Sequence, residues 1–287
     1  MTLDSSKHGK AKNYLNCSVK CENCGIAYSN AKSNPTKIYR NFKDNIPEQL
    51  QEKLEYVLEN TLNQGNRNNK KEKIAFYSSE DAFTWIFFSY FLKFTKEKLL
   101  LNLLSINDIL IDIYFWGTGY QGKNTEFRNK LENIMKNEYF EYTRYLTEPD
   151  IIIETRTRIY FIEIKLKSGN VFSKKKNAQK YLKKYYSNSN YAISSNCYEL
   201  IRNWSIGNSI AYILSKDYFL LNIGLKQIFN NESDKIQLFK KSLNNSDNFI
   251  RLYWDDIILK IKNTEHPWFF DDLNERYIFI KKQISNK

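Results

Sequence analysis

The sequence predicts an α/β fold, and three observations predict it. Two runs rich in Ile, Tyr and Phe, PDIIIE (149–154) and RIYFIEIKLK (158–167), stand three residues apart and read as two strands of a hairpin. A third apolar run, YFLLNI (218–223), reads as a buried strand. Segments with a 3.6-residue apolar period precede and separate these strands, which is the alternation expected of helices laid on a sheet.

The elements follow in order. Residues 1 to about 36 are polar, contain three cysteines and read as irregular. A helix is expected from Pro47 to Leu62, with Leu50, Leu54, Val57, Leu58 and Leu62 on its apolar face and Pro47 in its first turn. Asn63–Lys73 reads as a polar loop, and Ile74–Tyr77 as a short strand or extended lead-in. Ser78-Ser79-Glu80-Asp81 then supplies a serine cap and first-turn acids for AFTWIFFSYFL, a helix apolar nearly all round and therefore buried. A strand is expected near Ile109–Trp116, a loop over Gly117–Asn124, and a helix over Glu126–Phe140 with Phe127, Leu131, Ile134 and Met135 on one face.

After the hairpin, Gly169–Phe172 turns the chain and Ser173 is placed to cap another helix. Ala178, Tyr181, Leu182 and Tyr185 would form its apolar stripe, with Lys176, Lys180, Lys183 and Lys184 opposite. Tyr191–Ser194 is expected as a strand, and Tyr198–Leu214 as a helix broken near Gly207. Beyond Tyr218–Ile223, a helix is expected over Asp234–Leu243, a strand in FIRLYW (249–254), and a last helix over Asp271–Lys281. The chain divides by sequence into a polar cysteine-bearing segment (1–45), a central α/β domain (46–230) and a mostly helical C-terminal extension packed on it (231–287).

The chemistry concentrates in the hairpin. Strand side chains alternate, so Glu163 and Lys165 share one face while Ile162 and Ile164 take the other. Antiparallel pairing brings Asp150, at the head of the first strand, to the end of the second, near Glu163 and Lys165. Charge at the edge of a buried sheet needs a partner, and a divalent cation held by two carboxylates supplies one. Carboxylate oxygens suit Mg²⁺, which keeps several waters and completes its shell from phosphate. A lysine alongside can stabilise charge on a phosphate or position the attacking water.

Pro149, Asp150, Glu163 and Lys165 in this arrangement resemble the PD-(D/E)xK nuclease superfamily, the restriction-endonuclease-like fold. The resemblance spans about residues 78–225 and implies a mixed central sheet flanked by helices on both faces. It implies a Mg²⁺- or Mn²⁺-dependent DNA endonuclease of a prokaryotic restriction or phage-defence type. Asp150 and Glu163 would bind the metal and Lys165 would serve the chemistry. Double-stranded DNA is the expected substrate, and cutting both strands would favour a homodimer. Members often add a glutamate from an earlier helix. Glu80 is the preferred candidate over Glu126 and Glu132, and SEDAFTW (79–85) is similar to a segment of other members. Glu148 and Gln179 are candidates for a supporting shell. Some families of the superfamily place tyrosine four residues after such a glutamine, whereas this chain has Lys183 there and tyrosines at Tyr181 and Tyr185. The lysine face following the hairpin is the expected DNA-backbone surface. The segment Tyr198–Trp204 mixes aromatic and polar groups that could brace the site, and reads foremost as core packing with an exposed Arg202. A non-cleaving nucleic-acid-binding subunit of a larger complex is the alternative function.

Cys17, Cys21 and Cys24 are spaced C-x3-C-x2-C, which suits structural zinc, with His8 or Cys197 as a fourth ligand, or an iron–sulfur cluster; unligated thiols are the alternative. The radical S-adenosylmethionine enzymes share that spacing, but Asn23 stands where they usually place an aromatic residue and their Gly-rich segments are absent. Composition bounds the rest. A 42% hydrophobic content is ample for a core, and the net charge of +12 favours a polyanionic partner. An A/T-rich coding sequence would also raise lysine, so the charge counts only beside the motif. No apolar run reaches the ~20 residues a membrane span needs, and no secretory signal precedes the cysteines, so a cytoplasmic protein with reduced thiols is expected.

Overall fold

The structure, a computed structural model, describes residues 13–31, 35–122, 125–172, 177–182 and 184–285. Its elements begin with β1 (Val19–Cys21), β2 (Ile26–Tyr28), β3 (Lys37–Tyr39), α1 (Leu54–Glu59), α2 (Arg67–Ile74) and α3 (Glu80–Lys93). There follow α4 (Glu97–Leu103), β4 (Leu110–Phe115), β5 (Thr118–Gly119), α5 (Thr125–Asn137), β6 (Ile151–Thr155) and β7 (Arg158–Lys165). Then come α6 (Ser189–Ser195), α7 (Tyr198–Ile213), β8 (Asp217–Gly224), α8 (Lys226–Asn231) and α9 (Ser233–Lys241). The chain finishes with β9 (Phe249–Tyr253), α10 (Trp254–Lys260) and α11 (Pro267–Ser285). Two compact units form, neither continuous in sequence: Met1–Leu58 with Asn66–Lys96 and Ile261–Lys287, and Glu59–Gly65 with Glu97–Lys260. Among the described residues no helix is long and apolar enough to cross a membrane.

The first unit holds a small antiparallel sheet, β1-β2-β3, where the sequence suggested irregular chain. Three-residue strands are too short for an alternating pattern to show. Tyr14, Cys17, Ala27, Ile38 and Ala75 form a small core beneath it. The expected Pro47–Leu62 helix is shorter, a 3-10 turn at Glu48–Leu50 followed by α1, yet all five of its apolar residues are buried. The polar stretch 63–73 is not all loop, since α2 starts at Arg67. Tertiary contact holds this polar helix: Ile74 is fully buried and Lys70 pairs with Asp81 at 3.6 Å. The Ser79 hydroxyl accepts the Ala82 N–H and caps α3, which is buried from Ala82 to Leu92 as its composition requires. Tyr90 of α3 stacks on Phe269 of α11 with ring centroids 3.6 Å apart.

The second unit is α/β, built on a mixed sheet of order β5-β4-β6-β7-β8-β9 among the described residues. The tight turn at 156–157 makes β6 and β7 antiparallel, whereas β7, β8 and β9 run parallel. A parallel pair needs a crossover, which α6 and α7 supply between β7 and β8. α5 and α7 bury one face of the sheet: Tyr114 stacks on Phe127, and Trp204 meets the Tyr218 ring edge-on. The helix α7 runs unbroken through Gly207, against the expected break. A Cβ there would lie 2.0 Å from the Tyr218 ring, so glycine serves the close approach of helix to strand.

Two further expectations are corrected. Tyr191–Ser194 lies in helix α6, because the Asn188 side chain accepts the Tyr191 N–H and Asn196 closes the helix at φ +57°. The basic helix from Ser173 is not found among the described residues, which give a single 3-10 turn at Gln179–Tyr181. The Asn177 side chain accepts the Gln179 N–H, a local bond that competes with helix. The Tyr185 carbonyl is taken by the Trp204 indole, and Tyr186 bridges to Leu243.

Candidate functional site

The β6–β7 hairpin places the charged trio. Ile151 pairs with Ile162, which puts Asp150 opposite Glu163 at the open end of the hairpin. The closed end is pinned by Asp108, whose Oδ2 accepts from the Thr155 hydroxyl, the Thr157 hydroxyl and the Thr157 N–H at 2.7, 2.6 and 2.9 Å. At the open end the Asp150 carbonyl accepts the Trp116 N–H, and its Oδ2 accepts the Ile164 N–H at 2.8 Å. Asp150 is therefore fixed against the strand that carries Glu163 and Lys165, while keeping partial exposure.

Glu163 and Lys165 are 4% and 5% exposed, and both face α7. The Lys165 ammonium donates to Glu163 Oε1 at 2.6 Å and to Glu199 Oε2 of α7 at 2.7 Å. The Asn203 amide donates to Glu163 Oε2 at 2.7 Å. Burial raises the Glu163 carboxyl above the ordinary carboxylate range, with Lys165 opposing and Glu199 adding to the rise. Burial also resists ionisation of Glu199, but Lys165 and Arg202 outweigh it and hold that carboxyl at about 2. Burial works against the Arg202 charge, and Glu199 and Glu163 hold it on. Below the site, Asn222 of β8 donates to the Glu163 carbonyl and pairs with Asn170. Glu232 accepts the Asn170 and Val171 N–H groups, which secures the loop leaving β7.

Glu199, Arg202 and Asn203 line the site, in the segment that reads from sequence foremost as core packing. Arg202 is partly buried rather than exposed. Their signal was the spacing i, i+3, i+4, which gathers them on one face of α7. Glu80 opens α3 in the first unit, whereas Asp150, Glu163, Lys165 and Glu199 belong to the second. Glu148 accepts the Asn63 N–H at 2.7 Å and so anchors the 59–65 segment. Gln179 is exposed on its 3-10 turn. Glu126 and Glu132 lie on α5, paired with Lys130 and with Arg128 and Lys136. Lys180 and Lys184 are exposed, each over a neighbouring tyrosine ring, instead of aligned on a helix face. Lys176 and Lys183 lie outside the described residues, as does His8.

The cysteines divide. Cys17 is buried in the small core and its thiol donates to the Asn13 carbonyl at 3.4 Å. Cys21 and Cys24 are exposed at the β1–β2 turn, where the Cys24 N–H points to the Cys21 sulfur at 3.5 Å and lowers the pKa of its thiol. Cys197 is buried, and burial pushes its thiol up to about 12.

Among the described residues no three His, Cys, Asp or Glu side chains gather as a ready metal shell. Lys165 stands between Glu163 and Glu199 and pairs with both. The donor set suits a hard divalent cation, since Asp150, Glu163 and Glu199 offer carboxylate oxygens. No family model, curated protein or solved structure matches the chain.

Proposed function

We propose that the second unit is a metal-dependent phosphodiester hydrolase acting on DNA, with the restriction-endonuclease-like core its hairpin resembles. One observation carries this reading: the antiparallel register sets Asp150 beside Glu163, with Lys165 on the same sheet face. Asp150 and Glu163 would hold Mg²⁺ or Mn²⁺. That ion supplies charge to polarise a phosphoryl oxygen and acidify a water. Lys165 orients the attacking water or stabilises charge on the phosphate. Glu199 holds the Lys165 ammonium in place by accepting from it at 2.7 Å, and is the third carboxylate that the second unit provides. Asn203 holds Glu163 in its rotamer from α7. A prokaryotic restriction or defence role accords with this chemistry.

The double ion pair of Lys165 favours a second reading, a nucleic-acid-binding subunit that does not cleave, because the shared ammonium already offsets part of the carboxylate charge that would attract a metal. Incubation of the full chain with circular single-stranded and plasmid DNA, in Mg²⁺ or Mn²⁺, separates the two. Cleavage that disappears in Asp150→Ala and Lys165→Ala supports the hydrolase. DNA binding without cleavage by the wild-type chain, in either metal, sinks it in favour of the binding subunit.

A further inference from the structure

The chain entering the site displays aromatic rings to solvent. Between α5 and β6, Phe140 is 75% exposed, Tyr142 82% and Tyr145 59%. Arg144 is exposed among them, its guanidinium 5.9 Å from the Tyr145 ring centroid. Asp150 follows five residues after Tyr145.

Folding does not account for these rings. Phe140 adopts φ +52°, the left-handed conformation that closes many helices and favours glycine there. A phenylalanine is strained at this position and stays 75% exposed there. The residue between the rings points inward instead. Glu141 accepts the Thr147 N–H, the Thr147 hydroxyl and the Tyr181 hydroxyl at 2.6, 2.7 and 2.7 Å. The Glu141 N–H in turn reaches the Met135 carbonyl at 2.9 Å. A clamped backbone thus presents exposed aromatic side chains at Phe140 and Tyr142, with the Tyr145 ring seated on one side. Gly65 leaves room for one side of the Tyr145 ring, since a Cβ there would lie 2.3 Å from it.

We infer that this segment is a stacking platform for unpaired DNA bases, and that the substrate of the adjoining site is single-stranded DNA or a single-stranded end. The inference rests on the hydrolase reading of that site and names its substrate. In duplex DNA the base faces are stacked on one another and unavailable, whereas an unpaired base offers its π-face to Phe or Tyr. Arg144 adds a phosphate contact or a guanidinium stack, and the net charge of +12 suits the backbone. The site's expected duplex substrate gives way to an unpaired one on this ground.

The test measures anisotropy of fluorescein-labelled oligonucleotides with the full chain in EDTA, so that binding is read without cleavage. A 20-nucleotide single strand should bind about tenfold or more tighter than its duplex at the same salt. Tyr142→Ser and Phe140→Gly should each weaken single-strand binding about fivefold to a hundredfold and duplex binding less than threefold. Phe140→Gly also relieves backbone strain, so its loss of binding would not come from misfolding. The inference is overturned by equal affinity for strand and duplex, by wild-type binding in both variants, or by tight binding of RNA but not DNA. It is also overturned if the variants change only the oligomeric state, which would make the rings a contact between copies. Ring-dependent binding without metal-dependent cleavage would uphold the platform and defeat the hydrolase. Metal-dependent cleavage with ring-independent binding would do the reverse.

Discussion

Lys165 joins two carboxylates of different origin, one from its own strand and one from α7. The strand partner could be read from alternation alone, because Glu163 and Lys165 are two residues apart. Glu199 lies on a helix beyond the hairpin, and only the crossover to β8 brings it back. Its contribution has a defined sign. A carboxyl depressed from near 4.5 to about 2 stabilises the fold fully above the unfolded value, and loses that contribution as pH falls through the folded one. Glu163, raised by burial, contributes oppositely: its stabilisation is present at low pH and lost as pH rises. We expect Glu199→Gln to cost about 2–3 kcal/mol at pH 7, with Lys165 losing its ion pair to α7. Urea titrations of wild type and variant at pH 7 and pH 3 check this. The difference should shrink at the lower pH, and a constant difference would remove the Glu199 charge from the account.

The hairpin and α7 together make the site, and each is set by a different kind of information. The hairpin is local: two β-rich runs and a short turn suffice, and Asp108 adds a clasp from the segment before β4. Loss of that clasp in Asp108→Ala should destabilise by about 1–3 kcal/mol, since three donors at the turn lose their acceptor, and the check is a urea midpoint. The position of α7 is tertiary. Gly207 lets the helix reach Tyr218, whose hydroxyl donates to the Asn203 carbonyl while the Asn203 amide holds Glu163. A local reading takes Gly207 for a breaker, because nothing nearby in sequence announces a tyrosine packed on it. In Gly207→Ala the gain in helix propensity, about 1 kcal/mol, is outweighed by a methyl forced 2.0 Å from a buried ring. We expect a net loss of about 1–3 kcal/mol, with amide exchange rising along α7 and β8 and, on the hydrolase proposal, weaker cleavage. Unchanged exchange there would show that Tyr218 yields without moving the helix. The segment after β7 failed to read correctly for a related reason. Tyr181 and Tyr185 turn to Glu141 and to the Ser209 hydroxyl, so a periodic stripe on paper is spent on separate tertiary contacts.

At the scale of the whole chain, segments far apart in sequence build one unit, and a consecutive reading of domains has no means of pairing them. The first unit draws α11 together with residues before Leu58 and with α3. Arg276 shows how. It is 3% exposed, and its guanidinium donates to the Asn45 side chain, the Asn45 carbonyl, the Tyr77 carbonyl and both oxygens of Asp272. Those partners lie 199 and 231 residues away in sequence, apart from Asp272, one turn back on the same helix. An isolated arginine in an amphipathic C-terminal helix gives no sign of such a role, because surface arginines are common on helices. Methionine matches much of its bulk but none of its donors, so Arg276→Met leaves the Asn45 and Tyr77 carbonyls and the Asp272 carboxylate to find other partners. We expect a loss of about 3–5 kcal/mol, the range seen when a buried ion pair loses one member. Hydrogen exchange should read this as faster exchange in α3 and α11, whose packing the guanidinium ties to the Asn45 turn. The β6–β8 strands carry Asp150 at their edge, Glu163 and Lys165, and none of the groups Arg276 binds, so their protection should change least. A rise confined to β6–β8, with α11 unchanged, would mean that Arg276 does not hold the last helix in place.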